Sequence, residues 1–221
     1  MEGISQQLKI LFFGDSICVG QGISIHKGCV ALISAHLEEN RSTFGKNILV
    51  INSSVNGRTS RQALEDMPYH VQNQSPDILV IQYGLNDCNH WVTDRGLPRV
   101  SLDAFKGNLK EIIHRGKKFG AKQVILNNNH PTTLDQENIP DTEFTFEHFN
   151  KKYNEATRKL ATEMQEEVTF LDIESHFLQL VKKGKKMSDF LLEDGLHLGE
   201  SGHQIYFELV NPVIENAIKD F

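Results

Sequence analysis

The sequence predicts an α/β protein with a mostly parallel sheet and helices on both of its sides. Five short apolar runs have the near-continuous hydrophobicity of strands that are buried on both faces: residues 9–13, 48–51, 78–82, 123–126 and 168–171. Segments with helical spacing of apolar residues alternate with these runs: residues 30–39, 61–72, 104–118, 146–166 and 202–219. Alternation of this kind is typical of parallel sheets, because each crossover between strands passes through a helix.

Each predicted strand ends at turn-forming or polar residues. The runs read, in order, KILFF, ILVI, ILVIQ, QVIL and VTFL. Ser16 follows the first run, Asn56-Gly57 the second, and Gly84-Leu85-Asn86-Asp87 the third; a run of asparagines and His130 follows the fourth. In open parallel sheets the loops at the carboxyl ends of the strands converge, and sites form there. We therefore expect a functional site at this edge.

Length and composition predict one soluble domain over residues 1–221. The chain is 39% hydrophobic and 24% charged, which is an ordinary globular composition, and it contains no repeat and no linker-like segment. Its formal net charge of −6 at pH 7 argues against sequence-independent binding to nucleic acid or to anionic membranes. No apolar stretch approaches the roughly 20 residues that span a bilayer, and no signal peptide precedes the first strand. These features predict a cytoplasmic protein without membrane insertion.

Two fragments at opposite ends of the chain supply the parts of a nucleophilic site. Ser16 lies in Gly14-Asp15-Ser16, and His197 follows Asp194 by three residues. A serine hydroxyl attacks only when a base takes its proton, and an imidazole works best when a carboxylate orients it. Each fragment also has a simpler interpretation. Ser16 would serve as a helix cap, and Asp194 with His197 would form a surface hydrogen bond.

The middle of the chain offers donors for a developing oxyanion. Gly57 can bring its backbone N–H close because it has no side chain, and Asn86 can contribute a side-chain amide. The N–H of Ser16 is a third candidate, since it begins the following helix. Asn-Gly is also a common turn dipeptide, and Asn-Asp after a strand can cap a helix.

Taken in order, Gly-Asp-Ser, a glycine after the second strand, Gly-x-Asn-Asp after the third and Asp-x-x-His near the C-terminus resemble the SGNH, or GDSL-type, hydrolase family. The resemblance spans residue 9 to about residue 202. It implies a flavodoxin-like three-layer α/β/α sandwich with a five-stranded sheet. By position it implies Ser16 as nucleophile, His197 as base with Asp194 behind it, and Ser16, Gly57 and Asn86 as oxyanion donors. The first block departs from the usual pattern at Cys18, where serine or threonine is common, but keeps the nucleophilic serine.

The resemblance implies a serine ester hydrolase that works through an acyl-serine intermediate, with a small-molecule ester as its substrate and no metal or organic cofactor. The loops expected to wall the pocket carry Asn, His, Arg, Asp and Thr more than aliphatic surface, which favours a short acyl group on a polar, carbohydrate-like alcohol. Lysophospholipase and thioesterase activities of the same family stay open. Asp15, Trp91, Asn128 and His130 are candidate substrate contacts. The oligomeric state cannot be inferred from the sequence.

Two other classes of function remain as alternatives. A metallophosphoesterase is suggested by Gly14-Asp15 and Asn129-His130, but the sequence has no Asp-x-His and no His-x-His with which to hold two metals. A binding module that kept the fold and lost the chemistry would normally lack a catalytic residue, and here all the family positions are filled. A nucleotide-binding protein is disfavoured, because the first turn has neither Gly-x-Gly-x-x-Gly nor a P-loop lysine.

Overall fold

A computed structural model describes residues 7–221, and within them the sheet has five strands. The strands are β1 Leu8–Phe13, β2 Ile48–Asn52, β3 Ile78–Gln82, β4 Gln123–Asn127 and β5 Thr169–Leu171. They are arranged in the order β2-β1-β3-β4-β5, and all four neighbouring pairs are parallel. The predicted fold class is therefore confirmed, and the sheet is wholly rather than mostly parallel.

Within the described residues, eight α-helices surround this sheet. They are α1 Ser16–Val19, α2 Cys29–Glu39, α3 Arg41–Phe44, α4 Ser60–Met67, α5 Leu102–Lys118, α6 Phe146–Glu163, α7 Ile173–Lys182 and α8 Glu200–Ile218. Helix α2 packs against α8, whereas α4, α5 and α6 pack in a row. The two groups cover opposite faces of the sheet, since every residue of the central strand β3 is buried.

The strand register brings the loops that follow the strands to one edge. Phe12 of β1 lies beside Asn52 of β2, and Phe13 lies beside Ile81 of β3. At the other side of β3, Gln82 lies beside Asn127 of β4. The loops after the first four strands therefore begin at the same edge of the sheet, as the sequence predicts for parallel strands.

The short helix α3 was not predicted, and two longer helices differ from the sequence prediction for identifiable reasons. The helix expected over 61–72 ends at Met67 and continues as a wider turn over Pro68–Gln72. Pro68 has no N–H, so the regular hydrogen-bond ladder is interrupted there. Helix α7 was not predicted. Its signal was nevertheless present, because Asp172 caps it by accepting a hydrogen bond from the Ser175 N–H, and Ile173 and Phe177 lie four residues apart on its buried face.

Among residues 7–221, no helix is both long enough and apolar enough to cross a membrane.

Candidate active site

Ser16 is the first residue of α1 and lies at the turn that leaves β1. The cap of this helix is Asp15, whose Oδ1 accepts a hydrogen bond from the Ile17 N–H at 3.0 Å. The Ser16 side chain is therefore not needed as a cap. Its Oγ instead lies 3.0 Å from Nε2 of His197. The simpler interpretation of Ser16 as a helix cap thus applies to its neighbour.

His197 lies between Ser16 and Asp194. Its Nδ1 is 2.6 Å from Oδ2 of Asp194, while its Nε2 faces the serine. An ionised carboxylate can only accept, so Nδ1 carries the proton and Nε2 is free to accept the proton of the Ser16 hydroxyl. A serine, an imidazole and a carboxylate linked in this way form the arrangement that activates a serine for nucleophilic attack.

Asp194 is held in place by its own loop. Its Oδ1 accepts hydrogen bonds from the N–H groups of Leu196 and His197, each at 2.9 Å. Partial burial by itself would raise the pKa of Asp194, but the hydrogen bonds from the His197 ring and from the two backbone amides outweigh burial and lower it. The carboxylate therefore stays ionised at neutral pH and keeps the imidazole in one tautomer.

The loop after β2 is fastened to the turn that carries Ser16. The Gly14 N–H donates to Oγ of Ser54 at 3.1 Å, and the Gly14 carbonyl accepts from the Val55 N–H at 3.2 Å. The buried Arg58 also donates to the Gly14 carbonyl, at 3.1 Å, and to that of Ser53 at 2.6 Å. These hydrogen bonds keep the Gly57 turn next to the end of β1.

Gly57 adopts φ +74°, in the left-handed region that favours glycine, and a Cβ built on it would meet nothing within 4 Å. The space beside its backbone is therefore open. Within residues 7–221, neither its N–H nor that of Ser16 donates a hydrogen bond to another group. Both donors are free to meet an incoming oxygen atom.

The side chain of Asn86 is oriented by charged neighbours on both sides. Its Nδ2 donates to Oδ2 of Asp15 at 3.3 Å, and its Oδ1 accepts from Arg99 at 3.5 Å. The same Arg99 nitrogen donates to the Gly57 carbonyl at 3.1 Å. An amide nitrogen has two hydrogens, so one remains for a ligand. Arg99 thus links Asn86 and Gly57, the two residues expected to provide oxyanion donors together with Ser16.

Asp15 is fully buried, and it touches Asn86 rather than the open space where a substrate would lie. Burial raises its pKa from the ordinary 3.8 to about 6, with the Asp87 carboxylate adding to the effect; hydrogen bonds from Ile17 and Asn86 act in the opposite direction. Asp87 is also buried and accepts hydrogen bonds from Ser60. The expected substrate contact at Asp15 is corrected on this basis to a contact with Asn86.

The raised pKa of Asp15 predicts a pH-dependent effect of Asp15→Asn on stability. The folded state holds this proton more tightly than the unfolded state does, so the group favours folding at low pH and this contribution is lost as pH rises through about 6. Relative to wild type, Asp15→Asn should gain up to about 3 kcal/mol in free energy of unfolding between about pH 4 and about pH 7.

Urea denaturation of both proteins across this pH range would measure that gain. Asp135→Asn is the control for the loss of one carboxylate, because Asp135 is exposed. A difference between wild type and Asp15→Asn that stays constant with pH would contradict the prediction.

Asn128 and His130 are fully buried and are hydrogen-bonded to other parts of the chain, which contradicts the expectation that they contact substrate. Asn128 donates to Asp172 at 2.8 Å and accepts from the Glu174 N–H at 3.2 Å. His130 Nε2 donates to the Leu196 carbonyl at 2.8 Å. Burial lowers the His130 pKa to about 4, so the ring is neutral and supports the loop that carries His197.

Trp91, the fourth candidate substrate contact, lies at the surface of the loop over residues 88–101. Its side chain is 58% exposed, and Arg99 lies over its ring at 4.8 Å. Through Arg99 the indole is connected to the Gly57 and Asn86 side of the site. Trp91 is therefore open to a ligand, unlike Asn128 and His130.

Sequence reasoning missed two residues that organise this site. Arg58 is buried against the ring of Phe13 at 4.3 Å, and Arg99 holds Asn86 and Gly57. The position of Arg58 directly after Gly57 was a readable signal, whereas nothing local to Arg99 shows which loop it reaches. Among residues 7–221, no group of three or more His, Cys, Asp or Glu side chains is placed to hold a metal ion.

Comparison with known proteins finds relatives that are named as esterases. The chain is 27% identical over 220 residues to an isoamyl acetate-hydrolyzing esterase of Saccharomyces cerevisiae, covering 94% of this chain and 86% of that protein. It is 30% identical over 118 residues to an arylesterase of Vibrio mimicus, and that match spans about half of each protein, 53% of this chain and 53% of the relative.

Among solved structures, an acetylxylan esterase from Geobacillus stearothermophilus superposes with a TM-score of 0.72 at 22% identity, covering 96% of this chain and 94% of that one. At this identity the likeness concerns the fold. Residues 12–205 match the GDSL-like lipase/acylhydrolase family, and this range includes Ser16, Gly57, Asn86, Asp194 and His197. The chain therefore belongs to the GDSL-like lipase/acylhydrolase family, a family of carboxylic ester hydrolases.

Proposed function

We propose that this protein is a serine ester hydrolase that removes a short acyl group, of the size of acetyl, from a polar alcohol. The observation that carries the proposal is the chain of contacts from Ser16 through His197 to Asp194, with distances of 3.0 and 2.6 Å. The free N–H groups of Ser16 and Gly57 and the oriented amide of Asn86 complete the requirements of acyl transfer.

The reaction proceeds in two halves. Ser16 Oγ attacks the acyl carbonyl while His197 Nε2 takes its proton, and the imidazolium then gives that proton to the departing alcohol. The product of this half is an acyl-serine. Water then attacks the carbonyl carbon of the acyl-serine while His197 Nε2 takes a proton from the water. The imidazolium gives that proton to Ser16 Oγ as the bond between Oγ and the acyl carbon breaks, and the carboxylic acid leaves. Asp194 stabilises the imidazolium in both halves.

The oxyanion forms on the former carbonyl oxygen in each half. The N–H of Ser16, the N–H of Gly57 and the second hydrogen of Asn86 Nδ2 stabilise this charge. Because Asp15 and Arg99 already hold the Asn86 amide, little reorganisation accompanies the development of the charge.

Asn86→Ala should lower kcat for a short-chain ester by on the order of 10² to 10³, the cost of one oxyanion donor in other hydrolases. The donor acts on charge that exists only in the transition state, so KM should change much less. Asn73→Ala is a suitable control, because Asn73 is exposed. An unchanged kcat for Asn86→Ala would remove this amide from the oxyanion site.

Two relatives favour a small acyl group. The yeast protein is named for hydrolysis of isoamyl acetate and the Geobacillus protein for acetylxylan, and both names specify an acetate ester. The alcohols differ, one being a branched alkyl alcohol and the other a polysaccharide. In this chain the guanidinium of Arg99 lies next to Asn86 and also over the ring of the exposed Trp91. A polar or carbohydrate-like alcohol suits such a surface better than an alkyl chain.

A panel of esters tests the proposal. Acyl length is varied at constant alcohol, and the alcohol is varied at constant acetyl, with kcat/KM as the readout. We expect a maximum at acetyl and a steep fall toward long chains. A rise toward long chains would favour a lysophospholipase, and faster turnover of acyl thioesters than of matched oxygen esters would favour a thioesterase.

Labelling with a fluorophosphonate probe separates an active hydrolase from a fold that binds ligand without turnover. The probe phosphonylates a serine only where a base and an oxyanion site activate it. We expect one equivalent of label on Ser16, identified by mass spectrometry of the labelled peptide. A protein that remains unlabelled under conditions that label a known serine esterase would count against the proposed function.

A further inference from the structure

A depression of about 530 Å³ lies beside the candidate active site, between the loop over residues 88–101 and the start of α4. Its polar and charged lining consists of Arg61, Thr93, Asp94, Arg95, Arg99 and Ser101. Three of these side chains are guanidinium groups, and a single carboxylate faces them. This surface is strongly basic in a protein whose formal net charge is −6.

The three arginines are unusual among the arginines of this chain. The sequence contains seven, and four of them form ion pairs with carboxylates. Within residues 7–221, Arg61, Arg95 and Arg99 form none, and these three all line the depression. The carboxylates of Asp94, in the same lining, and of the buried Asp87 act electrostatically on Arg99. Three guanidinium groups still outnumber the one carboxylate of the lining, so their convergence is consistent with a site for an anion.

Two helices begin beside the depression. Helix α4 begins at Ser60, so Arg61 lies in its first turn, and helix α5 begins directly after Ser101. The first N–H groups of these helices are already bound to Asp87 and to the capping side chains of Thr59 and Ser101, so the positive charge of the depression comes from its arginines. The hydroxyls of Thr93 and Ser101 are further hydrogen-bonding groups in the lining.

Arg99 connects the depression to the reacting centre. Its guanidinium donates to the Gly57 carbonyl at 3.1 Å and lies 3.5 Å from Oδ1 of Asn86. Gly57 and Asn86 are the residues to which we assign the oxyanion contacts. A ligand in the depression would therefore lie next to an ester whose carbonyl oxygen occupies the oxyanion site.

We propose that this depression binds an anionic group, a carboxylate or a phosphate, on the alcohol part of the substrate. A short acyl group has no room for a second charged group, so the anion belongs to the alcohol. The natural substrate is then an O-acylated acidic compound, such as an O-acetylated acidic sugar. The inference rests on the proposed function and specifies its substrate class. Planar guanidinium groups match the geometry of both anions.

Three acetyl esters of one sugar framework test this inference: a neutral sugar, the corresponding uronate and the corresponding sugar phosphate. At low ionic strength the wild type should hydrolyse at least one acidic ester with a kcat/KM about tenfold above that of the neutral ester, as expected for one charge-assisted contact. The two acidic esters distinguish carboxylate from phosphate as the recognised group. Added salt should reduce the preference.

The variant for this test is Arg61→Gln combined with Arg95→Gln. It leaves Arg99 in place, because Arg99 contacts Gly57 and Asn86. We expect it to lose the preference for acidic esters while hydrolysis of the neutral ester is unchanged. Arg41→Gln, which removes an exposed arginine paired with Glu38, is the control for a lost positive charge and should keep the preference.

Binding to the Ser16→Ala variant provides a readout that does not depend on turnover. Titration calorimetry with the free uronate, the sugar phosphate and the neutral sugar should show tighter binding of an acidic compound, and Arg61→Gln with Arg95→Gln should abolish the difference. Equal binding of all three compounds would overturn the inference even if ester hydrolysis is robust. Selective binding without hydrolysis of any ester would support the anion site and overturn the proposed function instead.

Discussion

Replacing Ser16 with alanine is expected to reduce ester hydrolysis by on the order of 10⁶-fold, the loss seen when a serine nucleophile is removed from another hydrolase. The Ser16 hydroxyl lies 3.0 Å from His197 Nε2 and supplies the oxygen that forms the acyl-enzyme. Without it, only the oxyanion donors and substrate binding remain, and these give a small residual rate.

The variant should remain folded. Asp15, not Ser16, caps α1, and it would still accept the Ile17 N–H in Ser16→Ala. Hydrolysis of para-nitrophenyl acetate measures the loss, and circular dichroism with a thermal melt checks the fold. Ser42→Ala, at an exposed position of α3, is the matched control and should retain full activity. Full turnover by a folded Ser16→Ala protein would exclude Ser16 as the nucleophile.

The second large effect is expected for Asp194→Asn, which should lower kcat by roughly 10³ to 10⁴. The carboxylate at 2.6 Å from His197 Nδ1 holds the proton on that nitrogen and stabilises the imidazolium. An asparagine can present its NH₂ group to Nδ1 instead, which favours the tautomer with its proton on Nε2. That nitrogen then cannot accept the proton of the Ser16 hydroxyl. The Asp194 side chain is 47% exposed, and screening by water keeps the effect below that of losing Ser16.

A neighbouring carboxylate provides the control for Asp194→Asn. Glu193 is exposed and precedes Asp194 in the same loop, so Glu193→Gln removes an equal charge without touching the imidazole. We expect Glu193→Gln to keep kcat within about twofold of the wild type, because an exposed charge acts weakly at a distance. If both variants lost activity to the same extent, the effect would reflect the charge of the loop and not the contact with His197.

The strands were the most predictable part of the fold. The run ILVIQ forms β3 and is fully buried, as predicted, whereas the run ILVI forms β2 at the edge of the sheet and is only partly buried. Helix ends were less predictable, because they depend on single residues such as Pro68, where the ladder of α4 is interrupted. The unpredicted helix α7 shows that a cap such as Asp172 carries information that hydrophobic spacing alone does not.

The polar run after β4 shows where pattern reasoning fails. Asn128 and His130 follow a strand at the edge that carries Ser16, and on that ground they were expected to meet a substrate. The structure buries both side chains against other parts of the chain, including Asp172 and the Leu196 carbonyl. The end of a strand predicts at which edge of the sheet a residue lies. The direction of the side chain depends on which other residues pack against that side chain.

The sequence itself contains the order of the site residues, three after the ends of β1, β2 and β3 and two before the last helix: Ser16, Gly57, Asn86, Asp194 and His197. This order was sufficient to predict the family and the edge of the sheet at which these residues meet. Only the tertiary structure decided how they are oriented: Asp15 and Arg99 hold Asn86, and three arginines with a single carboxylate among them line a depression beside it. The physical reason is that strand and helix periodicity depend on local spacing of apolar residues, whereas hydrogen bonds and ion pairs between loops depend on distances that the fold alone creates.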